Sequence, residues 1–347
     1  MHMADALLSP AVAGTLYACS AAAAGYSVKK VRLEEEPRKI PVMGVMGAFV
    51  FAAQMINFTI PGTGSSGHLC GGMLLAALLG PGASFLTMIG VLLIQCLLFA
   101  DGGILALGAN IWNMAFFGCF VGGGLIWRRF LRNGATRPRI IAASLTGCIV
   151  TLQLGAFSVT LETLVSGVTE LPFTVFLAFM QPIHLAIGLV EGLITSAVLL
   201  FVWEARPELL NLTVPARREK KGKLSFGRTL AVLAAAAVLV GGGLSLAASS
   251  FPDGLEWSIE KITGSTELER NADDTAVEAS APQTGGAYAA AAKIQETTAL
   301  LPDYAFPDSD TVLGTSFSGI VGGFAVVAFS VACCYLFRFF QRKRRSE

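Results

Sequence analysis

Residues 69–127 read LCGGMLLAALLGPGASFLTMIGVLLIQCLLFADGGILALGANIWNMAFFGCFVGGGLIW, and the number of times this run crosses a lipid bilayer decides the fold. A helix needs about 20 apolar residues to span the hydrocarbon core, so one crossing leaves far too much apolar chain over. The punctuation divides the run into three. A short segment from 69 to 79 stops at Gly80-Pro81-Gly82, a second reaches Ala100, and a third follows Asp101-Gly102-Gly103.

The whole chain has the composition that such crossings require. Of its 347 residues 54% are hydrophobic and only 14% charged, against roughly 25% charged in a soluble domain. Further apolar runs lie near 6–28, 41–60, 140–160, 173–203, 229–249 and 316–337. The expected fold is therefore all-α and polytopic. A formal net charge of +1 gives no reason to expect a nucleic-acid partner. Seven cysteines without a CxxC or a pattern of spaced pairs exclude a disulfide scaffold and a zinc finger. No GxxxxGK[ST] phosphate loop occurs, so the chain is not expected to hydrolyse ATP. It is not read as an enzyme, and neither catalytic residues nor a cofactor are assigned.

Lys and Arg gather on the cytoplasmic side of short membrane loops. Here all 25 except Lys261, Arg270 and Lys293 fall in four clusters, at 29–39, 128–139, 206–228 and 338–345. Placing every cluster inside requires an odd number of crossings between residues 60 and 128, which three satisfies. Seven crossings then precede residue 205 and two follow it, nine in all, with the amino terminus outside and the carboxyl terminus cytoplasmic. By the same parity His2, the loop 61–68, the Asp101 turn and the segment 250–315 share the outer face. That segment is acidic, with twelve Asp and Glu against three bases. Its middle, 264–298, is rich in Gly, Ala, Ser, Thr and charge, which reads as largely disordered.

Position 2 then acquires a chemical reading. The Met1 amine, the deprotonated backbone nitrogen of His2 and the His2 Nδ1 would close a five-membered and a six-membered ring around one metal. Three coplanar nitrogens suit tetragonal Ni(II) or Cu(II), and some Co(II), better than tetrahedral zinc. Only two other histidines exist. His68, in the small-residue loop PGTGSSGHLCGG on the same face, is the expected fourth ligand. Cys70 does not share a helix face with His68 and reads as core. Two blander readings compete. A residue-2 histidine can be without a role, and Leu16-Tyr17-Ala18-Cys19 faintly resembles a processing site, although the basic flank of a signal is missing. The chelate demands that Met1 stay attached with its amine free.

Four separated motifs occur in order: MHM followed by Leu8-Ser9-Pro10, then Ser66-Gly67-His68-Leu69, then DGGILALGAN at 101–110, then Pro182-Ile183-His184 with EGLIT at 191–195. In these the chain resembles the CbiM/NikM family, the substrate-binding components of energy-coupling factor (ECF) transporters for cobalt and nickel. Positions 4–8 differ from the usual family start. From residue 229 the chain is similar to the small two-span N-type component, through Pro252-Asp253-Gly254-Leu255-Glu256, Trp257 and LPDYAF at 301–306. The implied organisation is a metal-binding component at 1–205, a basic cytoplasmic linker at 206–228 and a PDGLE module at 229–347 with its acidic loop 250–315. The resemblance implies an outward-facing site of the Met1 amine, the His2 amide and imidazole, and the His68 imidazole. It also implies a transmembrane T component and ATPase subunits as partners in a prokaryotic inner membrane.

Intramembrane polar groups are costly and usually have work. His184 and Glu191, two turns apart on one helix face, and Asn110 are candidate supports that orient the ligands, or else groups that hold neighbouring helices together, while Asn113 and Gln95 read as helix bridges. Gly14, Ala18 and Ala22 recur at four-residue intervals, a face that lets another helix approach closely. The resemblance makes that face the contact with the T component. A competing class is an ion-coupled secondary transporter of a divalent transition metal, with Glu191 and His184 as a proton relay.

Overall fold

The computed structural model describes residues 1–33, 35–212, 222–266, 284–306 and 313–346. Four basic residues of the third cluster, Arg217, Arg218, Lys220 and Lys221, lie outside them.

Helix α1, Pro10–Lys30, begins where Ser9 caps the first turn and Pro10 supplies a preset φ. Helix α2 is Lys39–Gln54, and a two-stranded antiparallel hairpin follows, β1 Phe58–Ile60 pairing with β2 Ser65–Gly67. Next come α3, Gly72–Leu79, and α4, Pro81–Phe99. A helix at Leu107–Leu131, α5, winds as a π-helix over Ile111–Trp127. The two longest helices of the first half are α6, Arg137–Ser166, and α7, Phe173–Ala205. They lie against each other closely, because a Cβ at Gly188 or Gly192 would come within 3.0 or 2.8 Å of Ile149 Cα or Leu145 Cα.

The second half supplies α8, Phe226–Gly242, the short α9, Gly254–Thr263, then α10, Thr284–Thr298, and α11, Leu313–Ser346. Helices α8 and α11 flank α2: Gly44 and Gly47 lie beside Val326 and Val327, and Gly241 beside Ala52 and Gly319. The protein is all-α apart from the hairpin, and it is a multi-pass membrane protein. Among the described residues seven helices are long and apolar enough to cross a bilayer.

Two of the nine expected crossings are shorter. Helix α2 has 16 residues. Helix α3 has eight, every one of them buried, which gives a length of about 12 Å against roughly 30 Å of hydrocarbon. Protein rather than lipid surrounds α3. The residues just before it, 65–71, comprising β2 and the His68 loop, are buried as well. Lys30, Arg32, Lys39 and Arg128 line one cavity beside Gly80, just past the end of α3, so these basic clusters share one end of the bundle.

The expected disorder over 264–298 needs correction. Residues 267–283 lie outside the described residues, but 284–298 form α10. A run of four alanines, 289–292, favours helix, and the helix is held to the first half by side chains. Tyr288 OH donates to the Leu8 carbonyl, and Gln295 Nε2 donates to the carbonyls of Cys96 at 3.1 Å and Gly102 at 2.8 Å.

Candidate metal centre

The amino terminus threads into the bundle at the end opposite the basic clusters. Met1, Met3, Leu7 and Leu8 are buried. The Met3 backbone is clamped by one side-chain amide: its N–H donates to Asn110 Oδ1 at 2.7 Å, and Asn110 Nδ2 donates back to its carbonyl at 3.1 Å. The same carbonyl accepts from Gly103 N at 3.0 Å, and Asp5 Oδ1 accepts from Ala106 N at 2.9 Å. The DGGILALGAN stretch is thus a cradle for residues 1–5. On α6, Gly155 leaves room for the first side chain, since a Cβ there would sit 2.9 Å from Met1 Cε.

His68 stands just past β2, with its Nε2 3.1 Å from the Met1 amine. Two nitrogens bound cis to one ion at about 2 Å lie about 2.8 Å apart, so the spacing suits a shared metal. The other ring nitrogen, Nδ1, faces the Leu69 carbonyl at 3.1 Å. A carbonyl only accepts, so Nδ1 carries a proton, and Nε2 is the ring nitrogen that faces the amine.

Glu191 on α7 holds the loop behind His68. Its Oε2 accepts from Cys70 N at 2.8 Å and its Oε1 from Gly71 N at 2.9 Å, and Gln54 Nε2 donates to the Cys70 carbonyl at 2.7 Å. Replacing Glu191 with alanine leaves two buried N–H groups without acceptors, at about 1–3 kcal/mol each. We expect Glu191→Ala to lower the thermal midpoint of the detergent-solubilised protein and to weaken its metal binding; an unchanged midpoint would remove this role. His184, also on α7, bonds its own helix, Nδ1 facing the Met180 carbonyl at 2.8 Å. It lines a cavity of about 10 Å³ beneath the terminus with Met1, His68, Cys70 and Asp253. That space holds at most one water, so the floor of the site is close-packed. Glu191 and His184 have separate partners, which gives no support to a relay between them.

Asp253, from the second half of the chain, completes the cluster. Its Oδ2 accepts from the Met1 amine at 2.6 Å and lies 3.5 Å from His68 Nε2. Its Oδ1 accepts from Leu255 N at 2.7 Å and Glu256 N at 3.0 Å, capping α9, while Asp253 N donates to Glu256 Oε2 at 3.0 Å. Burial pulls the pKa of the amine down, but the Asp253 carboxylate overrides it and leaves the amine above its ordinary 8.0. Burial pushes Asp253 up, and the ammonium and His68 override that too, holding it well below the usual carboxylate range. Sequence reasoning missed this residue. The available signal was a buried positive terminus in need of a counter-charge, and the PDGLE aspartate is the acid that meets it.

The His2 ring stacks over His68, centroids 5.2 Å apart and planes 23° from parallel. Its Nδ1 faces Asp101 Oδ1 at 3.1 Å and its Nε2 faces Gln95 Oε1 at 3.3 Å. Burial, resisted mainly by Asp101, lowers the ring to about 4, so it is neutral at physiological pH. Asp101 therefore serves His2, and Tyr304 OH donates to its other oxygen. Closing the five- and six-membered rings would require Nδ1 to turn from Asp101 toward the amine.

Among the described residues no three His, Cys, Asp or Glu side chains converge as a metal site. Asn113 bridges helices, donating to Glu162 Oε2 at 2.8 Å. Gly14, Ala18 and Ala22 lie on an exposed face of α1, and a Cβ at Gly14 would meet nothing within 4 Å.

The second half is joined to this end through bonds to main-chain carbonyls. Ser66 N donates to the Pro252 carbonyl at 2.8 Å, Ser249 N to the Asn57 carbonyl at 2.8 Å and Trp257 Nε1 to the Thr63 carbonyl at 3.1 Å.

Known proteins agree with this two-part construction. The sequence profile described as "Cobalt uptake substrate-specific transmembrane region" matches residues 2–209, and that of the PDGLE domain matches 227–339. The chain is 35% identical over 332 residues to a protein of Archaeoglobus fulgidus described as "Putative fused nickel transport protein NikMN", covering 96% of this chain and 97% of that one. It is 31% identical over 344 residues to the "Fused nickel transport protein NikMN" of Rhodobacter capsulatus, covering 94% and 95%. A solved structure described as "Crystal Structure of an Truncated Transition metal Transporter" matches 59% of this chain and 99% of its own, at 33% identity and a TM-score of 0.52. A cradled terminus, a facing histidine and a PDGLE aspartate on one polypeptide therefore have a family: the chain belongs to the CbiM family, joined to a PDGLE domain as in the fused NikMN proteins.

Proposed function

We propose that the chain is the substrate-binding membrane component of an ECF-type importer for Ni(II) or Co(II). It captures the ion at the outer face through the Met1 amine, the His2 amide and imidazole, and His68. The observation that carries this reading is the 3.1 Å separation of the Met1 amine from His68 Nε2 inside a buried, two-module enclosure. Both ions accept tetragonal nitrogen ligation, so the donor set favours neither. Residues 1–205 form the metal-binding component and 229–347 the PDGLE module, joined by the basic linker 206–228.

Partner subunits supply the energy: a transmembrane T component that meets the exposed Gly14, Ala18 and Ala22 face of α1, and two ATPases. The basic end of the bundle is cytoplasmic by the distribution of Lys and Arg. In right-side-out vesicles carrying the chain with these partners, uptake of radioactive nickel should require ATP inside and should survive a proton uncoupler. Uptake that an uncoupler abolishes and that proceeds without the ATPases would replace this reading by ion-coupled secondary transport.

A further inference from the structure

At the basic end of the bundle a cavity of about 710 Å³ opens between the last turn of α1, the start of α4 and the second half of α5. Metal capture at the opposite end makes no use of it. Lys30, Arg32, Lys39 and Arg128 line it together with Glu35 and Glu36. Both acids are engaged, since Arg32 Nη1 lies 3.0 Å from Glu35 Oε1 and Lys39 pairs with Glu36. Lys30 rests against the Tyr26 ring, 5.7 Å from its centroid, and Arg128 is exposed. Among the described residues neither forms an ion pair, so the rim keeps two cations without an acidic partner.

Beyond this rim the wall is apolar. Along α5 it is formed by Phe116, Phe120, Val121, Gly124 and Leu125, ending at Arg128. The π winding accounts for the pattern, because an i→i+5 helix brings residues four and five apart onto one face. Phe116 precedes Arg128 by twelve residues, which is at most about 18 Å at an α-helical rise. One leaflet of the hydrocarbon core is about 15 Å deep. Tyr26 on α1 and Leu125 on α5 are exposed, so the strip lies open along the flank of two membrane-crossing helices.

We propose that this groove binds one anionic phospholipid from the leaflet at the basic end, its headgroup phosphate on Lys30 and Arg128 and an acyl chain along Leu125, Phe120 and Phe116. The inference stands apart from the identity of the cargo. Charge alone would suit any small anion, but a free phosphate has no use for an apolar strip one leaflet deep. An anionic phospholipid joins the two chemistries in one molecule, and basic pockets between membrane helices select it over lipids whose headgroup carries a compensating ammonium. Arg128 can grip the phosphate through two N–H groups at once, while Lys30 adds a point charge. A lipid seated here would brace α1 against α5 and stabilise the folded chain by mass action.

The test uses the purified full chain in a neutral detergent, with phosphatidylglycerol, phosphatidylcholine and glycerol phosphate as probes. Native mass spectrometry and the thermal midpoint are the two readouts. Phosphatidylglycerol should remain as one adduct per chain and raise the midpoint, whereas the other two should do neither at equal concentration. Each cation is worth roughly fivefold at an anionic lipid surface. Arg128→Gln should therefore weaken phosphatidylglycerol about fivefold, and Arg128→Gln with Lys30→Gln at least tenfold. Arg129→Gln removes an exposed charge next to the groove but outside its wall, and should leave binding unchanged. Equal retention of phosphatidylcholine, an equal shift with glycerol phosphate, or equal losses in Arg128→Gln and Arg129→Gln would each overturn the site. They would mean, in turn, no selection for charge, an anion site without a lipid, and a diffuse basic surface. Absence of any retained phosphatidylglycerol would overturn it as well and leave the groove to a protein partner.

Discussion

A chain with three glycines inserted between Met1 and His2 should bind no nickel at stoichiometric concentrations. The insertion keeps every side chain but moves the amine by three residues, so the five-membered ring of amine and His2 amide can no longer close, and no X-X-His terminus is created that would chelate nickel in its place. It also takes the ammonium out of reach of Asp253 and His68, which the clamp on Met3 now holds at 2.6 and 3.1 Å. Loss of one tethered donor is worth about 10²–10⁴ in effective concentration. Metal analysis of the purified protein beside His2→Ala reads the result directly. One equivalent of nickel in the inserted chain would remove the terminal chelate.

Nickel affinity should fall about 100-fold for each unit of pH lost below neutrality. The sign follows from the protons the ligands carry before the metal arrives. The Met1 amine, held above 8.0 by Asp253 after burial is offset, is protonated at neutral pH and must release one proton. The His2 amide must release a second. The His2 ring, lowered to about 4 chiefly by burial, is already neutral and releases none. Titration in buffers of different ionisation enthalpy should count two protons per nickel near pH 7. A count of zero would exclude both amine and amide as ligands.

The bundle and half the site are legible in the sequence. Alternation of apolar runs with Lys and Arg clusters finds the long helices, because length and hydrophobicity report directly on what a bilayer accepts. His2 and His68 can be paired because only three histidines exist and topology leaves few faces for them. The sequence overstates α3, since hydropathy registers transfer from water and treats protein interior and lipid alike. Asp253 is invisible for another reason. Locally it is a helix cap, and the amine it meets is 252 residues away. Residues 284–298 look too polar and too rich in small residues to fold, but Tyr288 and Gln295 give α10 hydrogen bonds on the first half that no local pattern announces.

Measured along α7, the site sits nearer one end than the other. His184, beneath the terminus, is the twelfth residue of that helix, roughly 16 Å from its start at the acidic end, and the chain from there to Ala205 covers roughly 32 Å more. On the import reading proposed above, an ion seated on the nitrogens would still have the longer leg ahead of it.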